Sequence, residues 1–235
     1  MDKILRVVIA AAGLGSRMNS DLNKQYMLIK GRPVLAYSLD KFENFGAVDS
    51  IVVVANSSEV QFCQNEIANK YGYKKVVGVI PGGKERQDSV WAGLNTFANH
   101  TGLVAIHDGA RPLLPMQLLE DLLLAAERWD AAVPGVPARD TLKMVDEEGF
   151  IINTVDRSSI VAVQTPQVFR FEMLWKAFQL AYAEGIYGTD DASLFERYIG
   201  RVKIVKSDNR NIKITTPEDL LVAETLLSNN INNAL

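Results

Sequence analysis

The chain has 235 residues, 48% hydrophobic and 23% charged, with a formal net charge of −3. This is the composition of a globular protein with a full core, and it excludes a generally basic nucleic-acid binder: any anion has to be met by a local cluster of positive residues. A single cysteine, Cys63, excludes an intrachain disulfide, and with only two histidines the sequence holds no thiolate or histidine-rich metal pattern.

RVVIAA (6–11) is a first strand, running into AGLGSRM. The charged start and apolar run look like a signal peptide. A cut at Ala10–Ala12 leaves too short an apolar core, however, and no later run reaches membrane-spanning length. The expectation is a cytoplasmic protein without membrane contact. PVLAYSLDKFENF (33–45) has apolar residues at helical spacing behind a proline, a good first-turn residue. SIVVVA (50–55) is a second strand. SSEVQFCQNEIANKYG is a helix opened by serine and closed by glycine, with Cys63 packed on its apolar face. KKVVGVI is a third strand, QDSVWAGLNTFAN a helix, GLVAIH (102–107) a fourth strand, PMQLLEDLLLAAERW a helix and AAVPGVP a fifth strand.

Residues 138–160 break this alternation and read as strand, acidic turn with glycine, strand. The arms of this inserted hairpin are too poor in large apolar residues to fold alone, so it leans on its own domain or on another subunit. VAVQTPQVF then holds a strand and a turn, FEMLWKAFQLAYAEG a helix, DDASLFERYIG a shorter helix and RVKIVK a strand. In the last helix Thr216 is the expected N-cap, Pro217 the first helical residue and Asp219 the capping-box partner. Apolar strands alternating with helices imply an α/β fold, a Rossmann-like, mostly parallel twisted sheet with helices on both faces. Residues 1–235 read as one domain from which 138–160 protrudes. Ligands of such sheets gather beyond the carboxyl ends of the strands.

Three stretches follow strands and carry chemistry. Gly13-x-Gly15-x-x-Met18 lacks the third glycine of a dinucleotide fingerprint, and the second strand ends at Asn56 where a ribose-reading acid belongs. No glycine-lysine-serine/threonine closes a P-loop either. What remains is a tight turn exposing backbone N–H groups, followed by Arg17 and Lys24, which suits an anion. PGGKERQDSV (81–90) offers a second glycine turn at a helix start, with Arg86 and Ser89. IHDGARP (106–112) puts Asp108 and Arg111 at the sheet edge, and an aspartate beside phosphates suggests magnesium, a hard cation that takes carboxylate and phosphate oxygens.

Taken together, AAAGLGSRM…NKQY, GGKERQDSV, IHDGARP, RDT, DRSSIVAVQTPQ, GTDDAS and NIKITTPEDL resemble the 2-C-methyl-D-erythritol 4-phosphate cytidylyltransferase family, in order from about Val7 to about Glu224. The resemblance implies transfer of CMP from CTP to methylerythritol phosphate with release of pyrophosphate, in the non-mevalonate isoprenoid pathway, and a need for Mg2+. It implies that Ala11, Ala12, Gly13 and Gly15 hold the nucleotide. Gly83 and Ser89 would shape the cytosine pocket, with Arg86 supporting that loop. Arg17, Lys24 and Lys213 would be catalytic, neutralising the triphosphate and the five-coordinate phosphorus. Asp108 would contact the acceptor and the metal, with Arg111 and Thr165 completing the site. Thr141 and Arg157 fall on the hairpin, an arm that in the family crosses to the other subunit of a homodimer and grips the acceptor there.

Two positions depart from the family pattern. Lys84 stands where many relatives carry aspartate, and Arg210 where some do, so neither takes a role from the resemblance. Ribitol 5-phosphate cytidylyltransferases share the fold and loops, though RDT and DRSSIVAVQTPQ look more like the methylerythritol type. A non-catalytic nucleotide-binding protein of the same fold is expected to have lost Lys24 or Asp108, and both are present.

Overall fold

The computed structural model describes residues 5–13 and 23–232. Its strands form where β-branched and other apolar residues run unbroken. β1 (Leu5–Ala11) precedes a small hairpin, β2 (Leu28–Ile29) and β3 (Arg32–Pro33), and then α1 (Val34–Glu43). β4 (Val48–Ala55) leads through a short 3-10 turn into α2 (Val60–Phe62), which widens into a π-helical turn over Cys63–Asn69. There follow β5 (Val76–Pro81), α3 (Arg86–Asn95), β6 (Leu103–Asp108), α4 (Met116–Trp129) and β7 (Ala131–Pro137). β8 (Leu142–Val145) and β9 (Ile151–Val155) are the inserted hairpin. β10 (Val161–Val163), β11 (Gln167–Arg170), α5 (Phe171–Glu184), α6 (Asp191–Tyr198), β12 (Lys203–Lys206) and α7 (Pro217–Asn232) follow.

The main sheet has eight strands in the order β10-β7-β11-β6-β1-β4-β5, with β12 also paired to β7. β6, β1, β4 and β5 are mutually parallel, as are β7 and β12, whereas β10 and β11 run against β7. The expected α/β fold with a mostly parallel sheet is therefore present. The two reversed strands both come from VAVQTPQVF, which had read as one strand and a turn; Gln164–Pro166 separate them. Local corrections have local causes. The helix after β4 is capped by Asn56, whose side chain accepts the Ser58 N–H, rather than by a serine. Pro33 stands at the cap of α1 instead of inside it. β2 and β3 are two residues each, too short for any periodicity, and turn through Lys30 and Gly31, both at positive φ. At α7 the expected acidic partner is in place: the Asp219 carboxylate accepts the Thr216 N–H at 2.8 Å.

Side chains alternate across the sheet, and each face buries one set. Val7, Ile9, Ile51 and Val53 pack with Leu35, Leu39 and Phe42 of α1 and with Leu119 and Leu122 of α4. On the other face Val8, Val52, Val54 and Ile106 meet Val90 and Leu94 of α3 and Leu174 and Phe178 of α5. Cys63 belongs to the first of these cores, and burial pushes its thiol up to about 11. The hairpin is different: β8 and β9 pair with each other, apart from the main sheet, and Met144, Val145, Ile151 and Ile152 are each more than half exposed.

α3 lies so close to the sheet that a Cβ at Gly93 would stand 2.4 Å from Val8 Cγ1 and 3.1 Å from Val54 Cγ2, both branched side chains locked in the core. Gly93→Ala is therefore expected to lower the unfolding free energy by about 1–3 kcal/mol, as overpacked cores do. Urea denaturation checks this; an unchanged midpoint would show that α3 can lift off β1 without cost.

Candidate functional site

The carboxyl ends of the parallel strands meet at one edge. Ala10 of β1 lies level with Asp108 of β6, and the Gly109 N–H donates to the Ala10 carbonyl at 2.9 Å. Ala55 of β4 lies level with Pro81 of β5, and the Gly82 N–H donates to the Ala55 carbonyl. Over this edge opens a pocket of about 160 Å³. Ala11, Ala12, Gly13, Lys24, Gly83, Arg86, Ser89, Asp108 and Lys213 line it together.

Its floor is the end of β1. Gln25, buried, donates to the carbonyls of Ala11 at 2.6 Å and Gly13 at 3.3 Å. Two carbonyls that would repel an anion are thereby taken up by a neutral amide. One wall is the turn before α3. A Cβ at Gly83 would stand 2.3 Å from Asp88 Cβ, so the backbone approaches the helix as only glycine allows. The Gly83 N–H donates to Ser89 Oγ at 3.2 Å, and Glu85 and Asp88 close a capping box that fixes the helix start.

Asp108 is the electrostatic centre. Its Oδ2 lies 2.9 Å from Lys213 Nζ and 3.5 Å from Arg111 Nε, and its Oδ1 lies 3.4 Å from Arg86 Nε. Burial alone would raise its pKa, but Arg86, Lys213 and Arg111 hold it far below the usual carboxylate range. Arg86 also forks onto the buried Asp191 at the start of α6, with Nη1 at 3.1 Å and Nη2 at 2.8 Å. Beneath them His107 is fully buried, and burial pulls its pKa down to about 4, so the imidazole is neutral at physiological pH. Thr165 is buried; its hydroxyl accepts the Asp108 N–H at 3.0 Å.

Most of the residues expected at the site thus converge. Gly15 and Arg17 lie outside the described residues. Arg111 and Thr165 stand behind Asp108 rather than among the pocket-lining side chains. Thr141 and Arg157, both exposed at the base of the hairpin, do not line the pocket of their own chain either, and Arg157 donates to the Arg139 carbonyl. Arg210 is exposed and paired with Asp208, away from the lining, whereas Lys84 is part of it. Sequence reasoning missed Gln25, Asp191 and Asn211. GTDDAS and NIK are visible as motifs, but only the fold shows that the carboxylate of Asp191 turns inward and that Asn211 is buried.

A parallel-strand edge carrying a glycine-lined pocket and several cations is the arrangement of an α/β nucleotide-binding enzyme. The comparisons agree. The family model described as IspD, 2-C-methyl-D-erythritol 4-phosphate cytidylyltransferase, matches residues 5–229. The protein of that name from Caldanaerobacter subterraneus subsp. tengcongensis is 46% identical over 220 residues, covering 94% of this chain and 97% of the relative. That from Clostridium acetobutylicum is 45% identical over 223 residues, covering 95% and 97%. Among solved structures, the 4-diphosphocytidyl-2C-methyl-D-erythritol synthase of Anaerococcus prevotii superposes with a TM-score of 0.84 at 29% identity, covering 97% of both chains. The Thermus thermophilus 2-C-methyl-D-erythritol 4-phosphate cytidylyltransferase gives 0.77 at 32% identity over 94% of this chain and 98% of that one. This chain belongs to the 2-C-methyl-D-erythritol 4-phosphate cytidylyltransferase family.

Gln25→Leu keeps the volume and strips the Ala11 and Gly13 carbonyls of their donor. Affinity for the nucleoside triphosphate is expected to fall about tenfold, the size of one lost buried hydrogen bond. Titration calorimetry reads it; unchanged affinity would show that the loop holds its shape unaided.

Proposed function

We propose that the chain transfers CMP from CTP to 2-C-methyl-D-erythritol 4-phosphate, giving 4-diphosphocytidyl-2-C-methyl-D-erythritol and pyrophosphate on the non-mevalonate route to isoprenoid precursors. The observation that carries this reading is the convergence of Lys24, Arg86 and Lys213 with Asp108 on one glycine-lined pocket in a member of this family. Ala11, Ala12, Gly13 and Gly15 hold the nucleotide, and Gly83, Arg86 and Ser89 shape the pocket for its base. Arg17, Lys24 and Lys213 face the phosphates. Asp108, Arg111 and Thr165, with Thr141 and Arg157, serve the acceptor.

The chemistry asks little of the protein beyond charge. A phosphate monoester has its second pKa near 6 and is largely dianionic at neutral pH, so the nucleophile needs no general base. The neutral, buried His107 fits that: it faces other protein groups on both ring nitrogens. The obstacle is repulsion between two anions. Lys24 and Lys213 offset it, hold the acceptor phosphate in line with the α-phosphorus and stabilise the charge of the transition state. Lys213 is bound to Asp108 in the resting site, and incoming phosphate oxygens compete for the same ammonium.

Magnesium takes one or two carboxylates and completes its shell with phosphate oxygens and water. Asp108 fits as the protein ligand: it stands at the pocket wall, and the other lining carboxylate, Glu85, is engaged in capping α3. Both Asp108 oxygens face cations, so it suits an ion carried in by the triphosphate better than a metal cage of its own. Magnesium bound there supplies further neutralisation of the triphosphate.

Residues 1–235 form one nucleotidyltransferase domain in this reading, and the 138–160 arm reaches a second copy. Exposed apolar side chains on both faces of the arm support a homodimer, as does the separation of Thr141 and Arg157 from the pocket of their own chain. Among the described residues no helix is long and apolar enough to cross a membrane. We place the reaction in the cytoplasm, and assign no nucleic-acid or membrane partner.

Pyrophosphate release from CTP and Mg2+ is expected with methylerythritol phosphate and not with ribitol 5-phosphate; the reverse would reassign the acceptor. Lys24→Ala is expected to lower kcat by roughly 10²–10³, the cost of removing one preorganised charge, with the fold intact by circular dichroism. Full activity in that variant would remove the basis of the assignment. If the arm acts in trans, refolding Lys24→Ala together with Arg157→Ala restores part of the activity, because one mixed site is whole. No recovery in proven heterodimers would place the arm in cis.

A further inference from the structure

We infer that His107 is a positioning residue for the acceptor half of the site: with Thr165 it forms a one-way hydrogen-bond relay that fixes the backbone on either side of the Asp108–Arg111 turn. This rests on the proposed function, in which Asp108 and Arg111 meet the acceptor.

For a neutral imidazole the donors and acceptors allow one order. The Asp108 N–H can only donate, and it does so to Thr165 Oγ1 at 3.0 Å. The Arg111 carbonyl can only accept, and the nitrogen facing it at 3.1 Å is His107 Nε2. Nε2 therefore carries the imidazole proton. Nδ1 is left bare, 3.2 Å from Thr165 Oγ1, and takes the hydroxyl hydrogen that the Asp108 N–H leaves free. The relay runs Asp108 N–H to Thr165 O–H to His107 to the Arg111 carbonyl, and bonds aligned this way polarise one another. It closes on itself. Arg111 Nη1 donates to the Asn211 carbonyl at 2.8 Å, and Asn211 Nδ2 donates to the Thr165 carbonyl at 2.9 Å. Asn211 is fully buried and lies two residues before Lys213, which holds the Asp108 carboxylate. The β6 end, the Thr165 turn and the Lys213 segment are thus one circuit.

The position argues for a purpose. Leu103 and Ala105 share the His107 face of β6 and are plain core residues. Phe42 and the imidazole pack edge to face, with ring centroids 5.1 Å apart. A hydrophobe would satisfy that packing at lower cost, since a buried polar group costs free energy unless it is hydrogen-bonded. His107 uses both nitrogens, and both reach groups that set the acceptor side.

Two independent readouts test this. The chain has two histidines, so 15N-histidine spectra of the wild type at neutral pH resolve His107, assigned by its loss in His107→Gln. The expected tautomer is protonated at Nε2 and bare at Nδ1; a proton on Nδ1 overturns the relay. In kinetics, His107→Phe is expected to raise the KM for methylerythritol phosphate about tenfold, and by clearly more than it raises the KM for CTP. His107→Asn keeps an acceptor for Thr165, and His107→Gln keeps a donor for Arg111. Each is expected to lose less than His107→Phe, and both remain informative should the phenylalanine variant fail to fold. Equal rises in both KM values, or none, overturn the proposal. A wild type that releases no pyrophosphate with CTP and methylerythritol phosphate would instead contradict the proposed function, and the tautomer alone would then decide the relay.

Discussion

Asp108 is an anion buried at the edge of the sheet and held by three cations from three parts of the chain: Arg86 from the start of α3, Arg111 from the turn after β6 and Lys213 from the segment before α7. Removing any one side of such a cluster leaves a buried charge uncompensated, which proteins tolerate poorly. Asp108 therefore positions its cations as much as they position it. Asp191 shares Arg86, so two carboxylates restrain a set of cations that, with Lys24 on the same pocket, outnumbers them. The neutral His107 beneath adds no charge to that balance.

The sheet supplies the geometry. Four mutually parallel strands end at one edge, and the loops that leave them bring the Ala11–Gly13 turn, the Gly83 turn and Asp108 to one pocket. Each loop is also fixed from behind by a neutral group, Gln25 for the first and Ser89 for the second. His107 and Thr165 do the same for the third. Neutral buried groups thus support each loop, alongside the buried Asp108, Arg111 and Asp191. This arrangement suits a reaction in which the substrates bring the nucleophile and the leaving group, and the protein brings orientation and field.

How much of this was legible in the sequence depended on how unusual a residue was for its surroundings. Gly13, Gly83 and Asp108 stand out because glycines and an aspartate follow apolar strands without hairpin partners. The continuous Val and Ile runs of β1 and β4 gave their burial away for the same reason. Gln25, Asp191 and Asn211 did not stand out, because each is an ordinary polar residue until the fold places it within reach of a carbonyl or an arginine. The reversal of β10 and β11 was hidden because three and four residues carry no readable direction. The hairpin of β8 and β9 was visible as a break in the alternation, but its exposed apolar side chains were not, because its arms read as poor in large apolar residues.

Transfer is direct: the acceptor phosphate attacks the α-phosphorus of CTP once, with charge from the protein and no covalent enzyme intermediate. Its most direct test is the stereochemical course with a chiral α-thio analogue of CTP, read by phosphorus NMR of the product. Net inversion at phosphorus is the predicted result. Net retention would mean two displacements through a protein nucleophile, and would contradict the account.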